Sequence, residues 1–203
     1  DHVTGAALAA ELLYEAGHRK FALIGGPRAN PVARLRRDGF IRRLEGRANV
    51  AEATGDFTYE SGHSAALHLM ANRERPDAIF CANDIMALGC MDALRFTLGM
   101  KVPADISVVG FDDTRGARRA TYDVTSLAQP DQAMADEAVM LLDALLKGER
   151  AVKITAPLKL RVRGSAILPA RFGRGDYELE RIAPDVLNPD HLAQAERSIE
   201  TTS

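Results

Sequence analysis

A short apolar segment recurs four times along this chain, and this repeat constrains the possible folds more than any other feature. Each copy is followed by glycine or polar residues and then by a stretch with helical periodicity. The copies begin near residues 21, 51, 78 and 106, a spacing close to the roughly 30 residues of a strand with its crossover helix. Strands that are apolar on both faces need cover on both faces, so the repeat predicts an α/β fold, a parallel sheet with helices on each side. The alternative is a mixed α+β domain, which the regular spacing disfavours.

The same periodicity predicts where the elements lie. Asn30 suits the N-cap of one helix and Pro31 its first position. After Val124 the pattern changes to one amphipathic helix and then to alternating, half-exposed strands. From about residue 170 the sequence is polar and weakly patterned, which predicts a loose tail with one short helix near 192–199. The predicted strands are 21–25, 50–54, 78–82, 106–110, 152–156 and 159–163, and the predicted helices are 4–16, 31–44, 59–71, 85–97 and 131–147.

Composition excludes several classes of protein. Hydrophobic residues make up 46% of the 203 residues and charged residues 27%, as in ordinary globular proteins. A formal charge of -2 gives this stretch no electrostatic attraction to nucleic acid or to a membrane surface. No apolar run approaches the roughly 20 residues of a membrane span. Cys81 and Cys90 lie in apolar segments, which predicts core thiols in a reducing compartment. Because the chain starts at Asp1 without a methionine, we expect a fragment of a longer protein, and the lack of a visible signal peptide carries little weight.

Polar side chains follow each predicted strand, at the edge of the sheet where doubly wound folds bind ligands. A guanidinium, an amide, a carboxylate and an aromatic ring would converge there. Such a set suits a small polyol, with bidentate hydrogen bonds to neighbouring hydroxyls and stacking on the apolar face of a ring. The residues are Arg34, Arg36 and Arg37 after the first strand, Asp56 and Phe57 after the second, Asn83 and Asp84 after the third, and Asp112 and Asp113 after the fourth.

Each of these residues also has a purely structural interpretation. One of Asn83 and Asp84 is expected to cap the following helix, which leaves the other to face the crevice. Asp112 and Asp113 could shape a turn, and Phe57 could be ordinary core. The arginines could belong to a solvated helix face. It is the convergence of all four loops on one edge that favours a binding site.

Catalytic patterns are missing from the sequence. The carboxylates of Asp112 and Asp113 are adjacent and could not flank a glycosidic bond. His63 and His68 are five residues apart and do not share a helix face for a metal. The sequence has no Gly-x-Ser-x-Gly elbow, phosphate loop or Cys-x-x-Cys motif. We therefore predict a protein that is not an enzyme and has no cofactor or metal.

Five motifs carry a resemblance to a known family. In chain order they are "GHRKFALIGGP", "ARLRRDGF", "GDFTYESG", "IFCANDIMALG" and "VPADISVVGFDDT". Over about residues 1–168 the chain resembles the effector-binding half of the lactose-repressor/galactose-repressor (LacI/GalR) family of bacterial transcription regulators. The "ANDIMALG" motif is shared with periplasmic sugar-binding proteins, whereas "VPADISVVGFDD" followed by "TSLAQP" is specific to the regulators.

The resemblance implies a periplasmic-binding-protein-like core, in which two α/β subdomains are hinged around an effector. Residues 1–126 would form the C-terminal effector-binding subdomain. Residues 127–169 would form the hinge crossover and part of the N-terminal subdomain, which the helix from residue 131 and the last strands would complete. Residues 170–203 would be a tail without a family counterpart. One departure is that Tyr122-Asp123 replaces the usual Pro-Pro before the crossover, which puts the local turn and part of the family's dimer contact in doubt.

The resemblance also implies a site and a function. The ligand-binding residues would be Arg36, Phe57, Asn83, Asp112 and Gln129. The protein would be a cytoplasmic homodimer, without membrane contact, that senses a small sugar or polyol. It would bind operator DNA through a headpiece that is absent from this chain. The alternative function is a periplasmic sugar-binding protein that feeds a transporter.

Overall fold

The computed structural model describes residues 1–148 and 158–179, which form a seven-stranded sheet flanked by helices. A π-helical turn, Ala93–Thr97, continues the fourth helix. The strands are β1 Phe21–Gly25, β2 Val50–Thr54, β3 Ala78–Cys81, β4 Ser107–Asp112, β5 Thr125–Ala128, β6 Lys159–Val162 and β7 Gly175–Glu178. The helices are α1 His2–Glu15, α2 Pro31–Leu44, α3 Tyr59–Met70, α4 Asp84–Asp92 and α5 Asp131–Leu146.

The spatial order of the strands is β2-β1-β3-β4-β5-β6-β7. The first five are parallel, and β6 and β7 run antiparallel to their neighbours. This confirms the predicted α/β fold with a mostly parallel sheet. The order 2-1-3-4-5 reverses direction between β1 and β3, and in doubly wound sheets the ligand crevice opens at that switch point, beyond the carboxyl ends of the strands.

Two apolar layers cover the two faces of the sheet. One layer centres on α1 and α2, where Phe40 stacks on Phe80 with ring centroids 4.8 Å apart. The other centres on α3 and α4. The helices of each pair approach closely at glycines: a Cβ at Gly39 would lie 2.3 Å from a backbone oxygen of α1, and one at Gly89 would lie 2.0 Å from a backbone oxygen of α3. These close approaches hold the helices, and the loops that precede them, in fixed positions over the sheet.

Local sequence signals account for most element boundaries. The predicted bounds of β1, β2 and α2 match those observed, and α1 and α3 differ from theirs by one or two residues. The Asn30 side chain caps α2 by accepting from the amides of Val32 and Ala33 at 2.9 and 3.1 Å. The helix predicted to reach residue 97 changes to π-helical geometry after Asp92.

The C-terminal part of the chain differs from the prediction in two respects. β6 pairs with β5 in the main sheet, so the strand predicted near 159–163 does not join a second subdomain. The segment from about residue 170, predicted to be a loose tail, contains β7, which pairs with β6. The short, polar sequence of β7 has no apolar pattern that would predict a strand. The strand is held instead by backbone pairing and by ion pairs such as Lys159–Glu178 at 2.8 Å and Arg161–Asp176. The strand predicted at 152–156 and the helix predicted at 192–199 lie outside the described residues, and the division at residues 126 and 169 stays a prediction.

Helix α5 is amphipathic, yet none of its residues is buried. It is also the longest helix of the described residues, and none of them forms a helix long and apolar enough to cross a membrane. An apolar helix face of this size normally packs against another element. The large apolar side chains exposed on α5 are Met134, Val139, Met140, Leu142, Leu145 and Leu146, of which Met134, Leu142 and Leu145 lie on the apolar face.

We predict that the 203-residue chain self-associates through α5, because burying this apolar face removes it from water. Replacing Leu142→Lys and Leu145→Lys together, two exposed residues of this face, should shift the chain toward monomer. The double variant Leu35→Lys/Ile167→Lys, which changes two exposed apolar side chains elsewhere, is the matched control and should not. Sedimentation velocity over a concentration series measures the effect. A chain that is monomeric at every concentration and melts cooperatively would contradict the prediction.

Candidate functional site

Four of the five predicted ligand-binding residues lie at or directly after the carboxyl ends of strands, at one edge of the sheet. Phe57 comes after β2, Asn83 after β3 and Gln129 after β5, whereas Asp112 is the last residue of β4. The fifth, Arg36, extends from α2 toward the same edge. The hydrogen bonds below show that Arg36, Asp112 and Gln129 meet directly, and that Asn83 and Phe57 contact each other.

Arg36 is a buried cation with its hydrogen bonds directed into the protein. Its Nη1 donates to the backbone oxygen of Ala82 at 2.6 Å and its Nη2 to Asp112 Oδ1 at 2.7 Å. Its Nε donates to His2 Nδ1 at 3.3 Å, and its guanidinium carbon lies 3.8 Å from the centre of the Phe111 ring. Burial and the Arg36 charge lower the pKa of His2 to about 4, so this imidazole is a neutral acceptor at pH 7. Arg36 therefore orients the Asp112 carboxylate from the interior of the protein.

Asp112 is the most exposed charged group of this set. Its Oδ1 accepts from Arg36 and, at 2.6 Å, from Gln129 Nε2. Its side chain keeps 27% of its surface accessible, against 4% for Arg36. Within the described residues no hydrogen bond reaches Oδ2, so this oxygen is available to a ligand hydroxyl.

Phe57 and Asn83 form the other half of the site. Phe57 has a left-handed backbone, with φ 70°, and is half-buried. Its ring lies directly over Gly26, where a Cβ would come within 2.3 Å of the ring. Asn83 caps α4, since its Oδ1 accepts from the amide of Met86 at 3.0 Å, and its Nδ2 donates to the backbone oxygen of Phe57 at 3.3 Å. Asn83 thus ties the aromatic loop to the start of α4.

Asp84 does not face the crevice. We expected one residue of the Asn83-Asp84 pair to cap the helix and the other to face the crevice, and for Asp84 this expectation was wrong. Its carboxylate is fully buried, accepting from the amide of Thr114 at 2.6 Å and from the hydroxyl of Ser126 at 2.7 Å. Burial raises the pKa of Asp84 to about 7, and the nearby charges of Asp112 and Asp113 add to the rise. Asn83, and not Asp84, caps the helix.

Asp113 also points inward, into a cluster of arginines that the sequence interpretation did not include. Its buried carboxylate contacts Arg163 at 2.5 Å, Arg118 at 3.0 Å and Arg161 at 3.4 Å. The alternation of side chains along a strand could have predicted that Arg161 and Arg163 lie together, because residues two apart share one face. The partner they share lies 50 residues away in the chain, and only the sheet pairing brings it close.

The remaining polar residues from the sequence are directed elsewhere. Arg37 forms a bidentate pair with Glu52 on the surface, at 2.6 and 2.8 Å. It lines a cavity of about 270 Å³ beside β2 together with the exposed Arg34. Asp56 shapes its own loop by accepting from the amide and hydroxyl of Thr58. Within residues 1–148 and 158–179, no three His, Cys, Asp or Glu side chains are grouped to hold a metal ion.

We predict that Asp84→Asn reduces the pH dependence of stability. The folded pKa of about 7 exceeds the ordinary value of 3.8. The folded state therefore keeps a proton that the unfolded state releases, so the free energy of unfolding should fall as pH rises through that range. Asparagine cannot ionise. Its oxygen can still accept from the Thr114 amide, and its Nδ2 can donate to Ser126 Oγ, which reverses the direction of the second bond. The loss between about pH 5 and about pH 8 should shrink by roughly 1–4 kcal/mol in the variant.

Thermal melting of both proteins at the two pH values measures this change. Asp38→Asn, which changes a half-exposed carboxylate on α2 that pairs with Arg37, is the matched control and should keep the parental pH dependence. An Asp84→Asn protein that loses as much stability at high pH as the parent would show that Asp84 is not the titrating group.

Comparison with known proteins places this geometry in a family. A model of the periplasmic binding protein-like domain matches residues 10–166. Over 153 residues the chain is 34% identical to the HTH-type transcriptional repressor CytR of Escherichia coli K12, covering 73% of this chain and 45% of CytR. Over 147 residues it is 38% identical to the HTH-type transcriptional repressor PurR of Proteus mirabilis, covering 70% of this chain and 43% of PurR. The chain thus spans less than half the length of these curated relatives.

Solved structures show the same relationship. A dimeric Lac repressor with an 11-residue C-terminal deletion superimposes with a TM-score of 0.78 at 32% identity, covering 83% of this chain and 63% of that one. The complex of the transcriptional regulator CelR with cellobiose gives a TM-score of 0.74 at 34% identity, with 81% and 52% coverage. This chain belongs to the periplasmic binding protein-like domain family and, within it, to the effector-binding domains of the LacI/GalR regulators.

Proposed function

We propose that this chain is the effector-sensing portion of a bacterial transcription regulator and that its effector is a small sugar or related polyol. One observation carries the proposal. Asp112 lies at the ligand edge of the sheet with Oδ1 held by Arg36 and Gln129 and with Oδ2 left for a ligand. A carboxylate oriented in this way accepts hydrogen bonds from sugar hydroxyls and gains from its charge.

The rest of the site supports a polyol. The half-buried Phe57 ring offers an apolar plate for the face of a sugar ring, and Asn83 holds the loop that carries it. Binding sites of this kind combine an apolar wall with a few well-placed polar groups. CelR, a structural relative, is a regulator solved in complex with cellobiose. We infer that the five residues Arg36, Phe57, Asn83, Asp112 and Gln129 form the effector site, with Arg36 acting through Asp112.

We further propose that the chain contributes to two subdomains. Residues 1–126 would form the C-terminal subdomain, and the crossover within 127–169 would carry α5 to an N-terminal subdomain, whose sheet would cover the exposed apolar face of α5. Residues 170–203 would be a tail, of which the described part contributes β7 to the main sheet. Gln129 lies between β5 and α5 and donates to Asp112. The affinity of an effector bound at Asp112 would therefore depend on the relative position of the two subdomains. Such a difference in affinity is what allows a ligand to shift the equilibrium between two conformations.

The partners and location follow from the same assignment. CytR and PurR are HTH-type repressors, and the chain matches less than half of each. We propose that the full protein is cytoplasmic, binds an operator through a headpiece outside this chain, and dimerises, as the related Lac repressor structure does. The alternative, a periplasmic component of a sugar transporter, would require a secretory signal in place of a headpiece.

The full-length gene product tests the proposal. Its N-terminal sequence should encode a helix-turn-helix headpiece, and its fluorescence anisotropy with DNA from its own promoter should report binding. Cellobiose, glucose, galactose and ribose form a first sugar panel, to be titrated by calorimetry and then added to the DNA complex. A sugar that binds and changes DNA affinity supports the proposal. A secretory signal, or DNA binding that no polyol affects, would overturn it.

We predict that Asp112→Asn weakens sugar binding by roughly tenfold to a hundredfold, a loss of about 1.5–3 kcal/mol. Asparagine can still accept from Arg36 through Oδ1, so the buried guanidinium keeps a partner. Its Nδ2 replaces the available Oδ2 and presents a donor where the hydroxyls need an acceptor.

Calorimetric titration with the tightest-binding sugar of the panel measures the loss, and Asp38→Asn serves as the surface control. Operator binding without effector should stay at the parental level. Normal sugar affinity together with a lowered melting temperature would mean that Asp112 only shapes the turn.

We predict that the 203-residue chain alone shows no sequence-selective affinity for DNA. Its formal charge is -2, and the arginines of α2 and its C-terminal end are largely engaged by acidic side chains. Arg37 pairs with Glu52, and Arg43 and Arg47 pair with Glu11. A gel-shift assay at physiological salt with promoter DNA and an unrelated duplex is the measurement. Tight binding that distinguishes the two duplexes would contradict the prediction.

A further inference from the structure

The buried carboxylate of Asp113 is held by arginines from two separate parts of the chain, and we call this group the Asp113 clamp: Asp113, Arg118, Arg161 and Arg163. Arg161 and Arg163 lie on and directly after β6, and Arg163 also donates to the backbone oxygen of Val124 at 2.6 Å. Arg118 donates through Nε to the backbone oxygen of Asp113 at 3.0 Å. The Asp113 side chain is only 3% exposed. A carboxylate that is this buried needs compensation, and the three guanidinium groups supply it.

The clamp acts on a strained segment. Asp112 and Asp113 both have a left-handed backbone, with φ 100° and 55°. Such conformations cost on the order of 1–3 kcal/mol per residue and persist where the surroundings enforce them. They turn the two adjacent side chains in different directions, so that Asp112 meets Arg36 and Gln129 while Asp113 enters the clamp. The position of the Asp112 carboxylate therefore depends on the backbone at Asp113 as well as on Arg36 and Gln129.

Hydrogen bonds connect the same segment to the other loops of the site. The amide of Asp113 donates to Ser126 Oγ at 3.1 Å, and the Ser126 hydroxyl donates to Asp84 at 2.7 Å. The next amide, that of Thr114, also donates to Asp84. Asp84 directly follows the site residue Asn83. The ends of β3, β4 and β5 are thus joined beneath the site by one network, in which the clamp supplies the positive charge.

We propose that Arg163 and Asp113 are positioning residues for the effector site, and that they set effector affinity by holding the Asp112 carboxylate without contacting the ligand. The proposal rests on the function proposed above, since it names residues that act on the same site. It also gives the C-terminal strand β6 a role in ligand binding, although β6 supplies none of the five site residues.

The test uses a double variant, Asp113→Asn/Arg163→Gln, which removes both charges of the closest pair and leaves neither uncompensated. Two controls accompany it. Arg174→Gln removes an exposed arginine that pairs with Asp123 and does not touch Asp113. Leu13→Ala destabilises the fold from the buried side of α1. Arg163→Lys retains the charge and should preserve part of the parental behaviour.

The first readout needs no ligand. The side-chain amide of Gln129 donates to Asp112, so its proton and nitrogen NMR signals, assigned by their loss in Gln129→Met, report the position of the Asp112 carboxylate. These signals should shift in the double variant and stay in place in Arg174→Gln and Leu13→Ala. Unmoved Gln129 signals in a folded double variant would overturn the proposal.

The second readout is the affinity for the tightest-binding panel sugar, measured beside the melting temperature. The double variant should bind roughly tenfold more weakly, whereas Leu13→Ala should melt earlier with unchanged affinity, and Arg163→Lys should lie between the parent and the double variant. Equal affinity in parent and double variant would overturn the proposal. If no polyol binds the parent, the proposed function fails, and the Gln129 signals alone decide whether the clamp positions Asp112.

Discussion

The buried guanidinium of Arg36 is the interaction on which the site depends. A charge removed from water must be compensated nearby, or the fold loses several kcal/mol. Arg36 meets this requirement with the Ala82 carbonyl at the end of β3, the Asp112 carboxylate at the end of β4, and the ring of Phe111 beneath it. One side chain of α2 thereby links the ends of two neighbouring strands. The same contacts direct the second oxygen of Asp112 outward, so the compensation of a buried charge also orients the group proposed to bind the effector.

Two pairs of polar residues that are neighbours in the sequence have similar arrangements. In Asn83-Asp84 and in Asp112-Asp113, the first residue belongs to the proposed effector site, and the carboxylate of the second is buried. The buried members are joined through Ser126, whose hydroxyl donates to Asp84 and accepts from the Asp113 amide. A network of this kind is favourable only when its members are satisfied. It connects the loops that follow three strands, and fixed relative positions of such loops are what ligand contacts need in order to discriminate between two conformations of a protein.

Much of the fold was predictable because its signals are local. The continuous apolar runs of β1 and β3 require burial on both faces, and the Asn30-Pro31 pair specifies the start of α2 through a side-chain cap. The β7 strand was not predictable, because residues 175–178 have little apolar character and are held in the sheet by pairing with β6. For α5, by contrast, the element was predictable but the surface that it packs against was not. Its helical periodicity is clear, but periodicity does not identify the surface that covers it.

For the site, the sequence by itself determined which residue types stand at the strand ends, since the repeat places them there and parallel strands end at one edge. Only the tertiary structure decided where each side chain points. Asp84 and Asp113 have the same local context as their neighbours, and their inward direction depends on Ser126 and on Arg163, which lie 42 and 50 residues away. Burial raises the pKa of Asp84 for the same reason, because desolvation is a property of the surroundings and not of the residue. Local sequence sets backbone geometry and capping, whereas the partners of a buried charge are set by strand order and register.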